Sequence, residues 1–269
     1  MIALLLLLAP SAHAQDAPWE ERLPGDAVTS DRPDPFGLQG VDLLPIGGRS
    51  GFSVGQASVL GPDGGTNAWA MHGRVRVGQA DVRVGLPVAS YRTPHRRTAA
   101  LGNLTADVLW SDDHAHPEWQ AGATVRLPTG GAYTWVNDAD ELWPGIGIDA
   151  VYQRRFGSGP TTGGVRTALG IHGPAAYAPF PDVYAKVEAA GVLDQRITEA
   201  VGFVGEASFA WWDVSPVDLT AMLRIDPVDN VRLRGGLTLP VASWAGWQPA
   251  PVSSGVRETT LRLELHTAH

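Results

Sequence analysis

The sequence predicts an all-β fold, and three observations support this prediction. Apolar and polar residues alternate with a period of two over many segments, which is the pattern of strands with one apolar and one polar face. No segment of comparable length shows the 3.6-residue period of an amphipathic helix. No stretch approaches the 18 or more apolar residues of a membrane-spanning helix, so we expect any contact with a bilayer to be made by strands.

Composition narrows the function classes. Charged residues make up 18% of the 269-residue chain, below the roughly 25% of an ordinary soluble domain. The formal net charge of −8 argues against a nucleic-acid partner, because nucleic-acid-binding proteins present a basic face. Cysteine is absent from the sequence, which excludes disulfides, thiolate metal ligands and a cysteine nucleophile.

The first residues have the pattern of an export signal. A short apolar run over 2–9 precedes the small-x-small triplet Ala12-His13-Ala14, so the sequence predicts a signal peptide over 1–14 and a mature chain from about Gln15. No Lys or Arg precedes the run, which leaves open a start codon further upstream or, as an alternative, a buried N-terminal strand. Residues 15–49 are rich in Pro, Gly and acidic residues without periodicity, and we predict an irregular segment there.

Residues 50–269 carry the alternation and form the predicted β-domain. In 118–127, for example, one face is apolar from Trp119 to Leu127, and the other holds Glu118, Gln120 and Arg126. Counting such runs predicts about twelve strands, over 51–60, 67–77, 80–86, 101–110, 118–127, 146–155, 163–172, 183–190, 198–211, 216–225, 231–239 and 256–267.

The connections between these strands predict a transmembrane barrel. Short turns alternate with longer pieces over 87–100, 128–145, 173–182 and 240–255, although the connections near 61–66 and 212–215 are short. An even number of antiparallel strands with short turns at one end and longer loops at the other is typical of bacterial membrane β-barrels. Aromatic residues gather near the predicted strand ends, as in interfacial girdles: Trp110, Trp119, Tyr152 and Phe156 at one rim, and Tyr91, Tyr133, Trp135, Trp211, Trp212, Trp244 and Trp247 at the other.

Ionisable residues concentrate on the polar faces of the predicted strands. In a single up-and-down barrel in lipid, the apolar face meets acyl chains and the charged face is enclosed, with no strand edge left in hydrocarbon. The alternative is a soluble exported sandwich or lipocalin-like barrel with its apolar face inward, acting as a binding protein. The membrane barrel predicts these pore-lining residues: Arg74, Arg76, Arg83, Asp107, Glu118, Arg126, Asp149, Arg166, Lys186, Glu188, Glu206, Asp218, Arg224, Arg232, Arg234, Arg262 and Glu264.

Several short motifs resemble a known group of barrels. The runs 83–91 (RVGLPVASY), 101–104 (LGNL), 125–130 (VRLPTG) and 152–156 (YQRRF), together with Gly205-Glu206, resemble the outer-membrane β-barrel domain of delta-proteobacterial and myxobacterial OmpA-like and "transporter" proteins. The resemblance covers about residues 70 to 245 and implies a barrel without catalytic residues. Two departures stand out. We expect no peptidoglycan-binding domain after the barrel, and the last predicted strand lacks the C-terminal aromatic residue that barrel-assembly machinery reads.

The search for chemistry yields weak candidates. Residues 112–116 (DDHAH) have metal-ligand types in a predicted turn, and 137–141 (NDADE) offers carboxylates without the glycine and spacing of a calcium loop. Neither G-x-S-x-G nor H-E-x-x-H is present, and the histidines fall mainly in turns or on polar faces. These observations argue against catalysis, so we expect no enzyme, metal or other cofactor. An outer-membrane lipid hydrolase is kept as a second alternative.

The predicted function follows from the charged inner face. Nearly balanced basic and acidic residues favour a salt-bridged, largely filled interior, and twelve strands enclose less space than a general porin. We therefore expect an outer-membrane barrel that is structural or passes small polar solutes. Its expected partners are outer-membrane lipid and, during insertion, the barrel-assembly machinery.

Overall fold

The computed structural model describes residues 34, 36–61, 64–92, 97–113, 117–129, 145–157, 159–174, 183–211, 214–245, 248–250 and 259–269. Within these residues the chain forms strands joined by turns. In chain order the strands are β1 (Gly51–Gly61), β2 (Gly64–Val77), β3 (Ala80–Arg92), β4 (Arg97–Leu101), β5 (Leu104–Ser111), β6 (Trp119–Leu127), β7 (Gly145–Phe156), β8 (Thr161–Pro174), β9 (Tyr184–Arg196), β10 (Val201–Trp211), β11 (Val214–Val228), β12 (Val231–Ala245), β13 (Gln248–Ala250) and β14 (Thr260–Ala268).

Twelve of these strands close into an antiparallel barrel. Strands β1, β2, β3 and β5 to β12 pair in that order, and β14 lies between β12 and β1 to complete the ring. The two short strands extend the wall without adding to the ring, because β4 pairs with the far end of β3 and β13 with the far end of β12. The predicted single up-and-down barrel of about twelve strands is confirmed.

The two ends of the barrel differ. The end that carries the turns after β2, β5, β7, β9 and β11 is here called the short-turn rim, and the opposite end is the loop rim. At the short-turn rim the two-residue turn between β2 and β3 begins at Gly78, whose φ of 61° is accessible to glycine without steric cost. The first and last strands also meet at this rim, where Gly51 pairs with Ala268.

Several predicted strand limits are wrong. The predicted turn between the predicted strands 183–190 and 198–211 is instead a continuous ladder, because Gly191 stays paired on both sides and β9 runs on to Arg196. Likewise β3 and β12 run past Pro87 and Pro240, where the predicted strands ended. At Pro87 the ladder changes partner from β5 to β4, so the missing N–H of proline falls at an interruption that the barrel already contains.

The outer surface of the barrel is apolar. On β11, Leu223 is 49% exposed, whereas its neighbours Met222 and Arg224 are buried, and this alternation recurs along the wall. Exposed aromatics stand at the short-turn rim (Trp110, Trp119, Phe156) and at the loop rim (Trp211), while several other predicted girdle residues lie outside the described residues. The alternative of a soluble fold with an apolar interior is wrong, because an apolar exterior of this kind is stable in lipid. Within the described ranges, no helix is long and apolar enough to cross a membrane.

Residues 36–50, here called the inner segment, lie inside the barrel near the short-turn rim. The segment folds on itself through an isolated bridge, in which the amide of Ile46 donates to the carbonyl of Leu38 at 2.9 Å. Gly37, with φ of 71°, allows the close approach of the two arms, because a Cβ there would overlap the Gly47 carbonyl.

The inner segment supplies the apolar core of the molecule. Leu38, Leu43 and Ile46 pack against inward-facing apolar side chains of the wall, which are Val192, Val204 and Met222. On the adjoining part of the wall, Leu44 packs against a second cluster of Leu109, Val151 and Ala168. Each buried leucine or isoleucine contributes roughly 1.5–3 kcal/mol to docking of the segment. The predicted domain limits of 1–14, 15–49 and 50–269 stay a prediction.

Candidate functional site

The barrel interior holds nearly all of the residues that the sequence singled out as pore-lining. Those on the inner face are buried or half-buried: Arg74, Arg76, Arg83, Asp107, Arg126, Asp149, Arg166, Lys186, Glu188, Glu206, Asp218, Arg224, Arg232, Arg234, Arg262 and Glu264. Glu118 is the exception, because it precedes β6 in the connection at the short-turn rim and is exposed. Its alternation with Gln120 is genuine, but the strand begins one residue too late to enclose it. Whether the enclosed residues line a pore stays a prediction.

Many of these charges form ion pairs across the wall. Arg83 on β3 donates to Asp107 on β5 at 3.0 Å, and Arg166 on β8 donates to Glu188 on β9 at 2.8 Å. Paired charges on adjacent strands satisfy each other in an interior that is poorly hydrated, so they fill space and hold strands in register.

One long-range pair includes a residue that the sequence analysis missed. Arg224 on β11 donates to Asp194 on β9 at 2.6 Å, across the intervening strand β10. Gly202 on β10 makes this reach possible, because a Cβ there would lie 2.8 Å from the guanidinium. Asp194 escaped detection because the glycine at 191 suggested a turn. Continued alternation past that glycine was the signal that could have found it.

Uncharged polar residues of the interior are absent from the predicted pore-lining set, although Gln120 falls on a predicted polar face. Gln120 and Gln153 are both fully buried, and the amide of Gln153 donates to Gln120 at 2.7 Å. The hydroxyls of Thr220 and Thr238 lie 2.8 Å apart between β11 and β12. Each of these residues shares the inward phase of the charged residues on its strand.

A single carboxylate of the wall holds the turn of the inner segment. Glu206 on β10 accepts hydrogen bonds from the backbone amides of Val41 and Asp42, the latter at 2.7 Å. Gly40 lies directly against this carboxylate, and any side chain there would overlap it. A carboxylate that accepts two backbone N–H groups makes charge-assisted bonds, which are about twice as strong as neutral ones.

Arginines of the wall bind the rest of the segment. Arg74 donates to the carbonyl of Gly47 at 2.6 Å while pairing with Asp81, and Arg234 donates to the carbonyl of Gln39 at 3.1 Å. Arg232 joins Asp34 to the wall at 3.0 Å, and its guanidinium also stacks 4.5 Å above the ring of Phe36. The segment is therefore fixed by directed polar contacts as well as by its apolar residues.

Beside the inner segment the interior keeps an open space. A cavity of about 190 Å³ lies between the segment and the wall formed by β14, β1, β2 and β3, and this volume holds several water molecules. From Gly51 to Ala57 the inward residues of β1 are small, and this explains why the space stays open here: Gly51, Ser53, Gly55 and Ala57. We call this space the β1 cavity.

The β1 cavity has an ordered lining. The wall residues that flank Ser53 in register are His72 on β2 and His266 on β14. Further toward the loop rim, Ala57 stands beside Ala68 and Arg262. Polar side chains therefore line this wall on either side of a row of small residues along β1.

The two candidate metal sequences fall largely outside the structure. Residues 114–116 of the first motif and all of 137–141 lie outside the described residues. Among the residues that the structure does describe, no group of three His, Asp or Glu side chains is arranged to hold a metal ion. His172 is engaged with Asp149 at 2.8 Å and stacks on Tyr184, which is a structural arrangement.

Comparison with solved structures finds barrels of the same fold. No protein family and no curated protein matches the sequence. Among solved structures, an outer membrane channel from Pseudomonas putida F1 is similar with a TM-score of 0.59 and 12% identity, over 86% of this chain and 100% of that one. The NanC porin is similar with a TM-score of 0.53 and 8% identity, over 81% of this chain and 100% of that one. At such identities the likeness shows a shared fold.

Proposed function

We propose that this chain is an outer-membrane channel that passes small polar solutes through the β1 cavity. The observation that carries the proposal is a closed barrel with an apolar exterior, whose interior keeps a polar-lined space along one wall. The two similar structures support it, since one is described as an outer membrane channel and the other as a porin. A route through protein in a membrane needs polar groups that replace hydration, and the cavity lining provides them.

The position of the route follows from side-chain size. In other parts of the described interior, ion pairs and the apolar contacts of the inner segment occupy the space. Along β1 the inward positions lack bulk, so a solute that enters from the loop rim meets its least resistance there. A Cβ added at Gly55 would have its nearest neighbour, the Cγ of Glu264, at 3.6 Å, which leaves room for a side chain to grow into the cavity.

The surroundings of the protein belong to the same proposal. We place the chain in the outer membrane, with lipid around its apolar surface and the barrel-assembly machinery as a partner during insertion. The proposal includes no catalysis. The motifs at 125–130 and 152–156 support the finer proposal of a lineage shared with delta-proteobacterial OmpA-like barrels.

Two tryptophan substitutions on adjacent residues test the route. In Gly55→Trp the new ring enters the β1 cavity, whereas in Val54→Trp it faces lipid on the same strand. Each purified protein is checked for the heat-dependent gel mobility of a folded barrel and then inserted in planar bilayers. We expect single-channel conductance for the native chain and for Val54→Trp, and at least a several-fold lower conductance for Gly55→Trp.

The outcomes separate two functions. A folded native chain that conducts no ions and passes no small sugars in vesicle-swelling assays would refute the channel. It would favour instead a structural barrel, a function suggested by the docked inner segment and the paired interior charges. Equal conductance of the two tryptophan variants would refute the route along β1 and place the passage elsewhere in the barrel.

A further inference from the structure

We infer that the β1 cavity selects small anions, both inorganic ions and organic carboxylates, over cations. This inference rests on the proposed channel function and specifies its solute class. Among the residues that the structure describes, five arginines and two carboxylates, those of Asp42 and Glu264, line the cavity. The arginines that line the cavity are Arg49, Arg74, Arg83, Arg234 and Arg262.

This excess of positive charge is local. The whole chain has a formal charge of −8, so clustering of arginines beside one cavity does not follow from composition. Charges that line a narrow passage dominate its ion selectivity, because a low-dielectric wall concentrates their field in the aqueous space.

The arrangement of the ion pairs strengthens the asymmetry. Arg74 donates through Nε to Asp81 at 2.8 Å, and Arg83 donates to Asp107 at 3.0 Å. Neither aspartate lines the cavity, although both arginines do. The cationic member of each pair is therefore the one that a passing solute meets, and the carboxylate lies behind it.

The acidic side chain on this wall is engaged. Glu264 accepts a hydrogen bond from Arg234 at 2.7 Å and lies 3.0 Å from His266. His72 lies beside Ser53 in register, and a neutral imidazole and a hydroxyl each offer one donor to an anion, whereas the Nε2 of His266 is engaged by Glu264. Arg262 stands nearer the loop rim, with Nε donating to Thr238 at 2.8 Å. An anion can therefore pass from one donor to the next along β1.

A matched pair of charge deletions tests the inference. Arg262→Gln removes a positive charge from the cavity lining, whereas Arg76→Gln removes one from the short-turn rim, where Arg76 donates to the carbonyl of Asp113 at 2.9 Å outside the lining. The reversal potential in a potassium chloride gradient gives the chloride-to-potassium permeability ratio of each variant. Arg262→Lys, which keeps the charge, serves as the rescue.

We expect the native ratio to exceed one. It should fall about threefold in Arg262→Gln, the effect of one charge about 6 Å from the ion in screened water, and stay unchanged in Arg76→Gln and Arg262→Lys. A conducting native channel that prefers potassium overturns the inference and leaves the channel function intact. An equal loss of anion preference in Arg262→Gln and Arg76→Gln also overturns it. A folded chain without any conductance refutes the proposed function and the inference together.

Discussion

The contact between Glu206 and the inner segment allows a quantitative prediction. The carboxylate of Glu206, on the barrel wall, accepts hydrogen bonds from the backbone amides of Val41 and Asp42 in the segment. In Glu206→Gln the side-chain oxygen can accept one of them, and the new amide group opposes the other. A hydrogen bond to a charged group contributes about 1.5–3 kcal/mol, so we expect docking of the segment to weaken by about 2 kcal/mol. This corresponds to a roughly 30-fold larger undocked population.

Cysteine labelling can measure that population, because the native chain contains no cysteine. Leu44→Cys places a thiol in the buried contact with Leu109 and Val151, where a membrane-impermeant maleimide reaches it only after the segment leaves its site. The labelling rate is then proportional to the undocked fraction. We expect it to rise about 30-fold when Glu206→Gln is added to the Leu44→Cys background.

A matched variant separates this effect from general loosening of the barrel. Glu188→Gln removes a carboxylate that bonds to Arg166 and Lys186 within the wall, and it should change the labelling rate little. Both double variants must retain heat-dependent gel mobility. A change of less than about threefold in the Glu206→Gln protein, or an equal rise in the Glu188→Gln protein, would refute the reasoning.

Two further predictions concern the wall. Arg224→Ala leaves the buried Asp194 without its guanidinium, so we expect about 3 kcal/mol lower unfolding free energy by tryptophan fluorescence in urea; a loss below 1 kcal/mol would contradict the role of this pair. Leu223→Arg sets a charge on the lipid-facing surface and should lower the unfolding free energy in vesicles by roughly 2–4 kcal/mol. Asn230→Arg, in an exposed turn, should change that free energy little. Equal stability of these two variants would argue against lipid contact at β11.

Most of the wall was predictable from the sequence, because lipid outside and polar groups inside impose strict alternation on every strand. The same rule found the enclosed charges on β11 and β12, including Arg224 and Arg232. It failed at strand ends. Glu118 keeps the polar phase but lies beyond the ladder. Asp194 is absent from the predicted pore-lining residues because Gly191, which stays paired in β9, indicates a turn by residue type alone.

The inner segment was not predictable by this reasoning. Residues 36–50 show neither a period of two nor a helical period, since their contacts are made one by one with side chains distant in sequence. Leu38 and Leu43 pack on β9, β10 and β11, and the partner of Val41 stands 165 residues away. Such contacts depend on closure of the barrel, which no local pattern encodes. The β1 cavity went unnoticed for the same reason, because small residues leave a space only where the opposite side does not fill it.

The inner segment is continuous with β1, because the chain passes from Ser50 directly into the wall at Gly51. Because this covalent link to the wall is so short, a segment that undocks cannot diffuse away from its site. Its return is an intramolecular step with a local concentration of about millimolar, so redocking is fast and independent of how many copies the membrane holds. Any lasting undocked state therefore requires a ligand or partner that captures the released segment on the short-turn side.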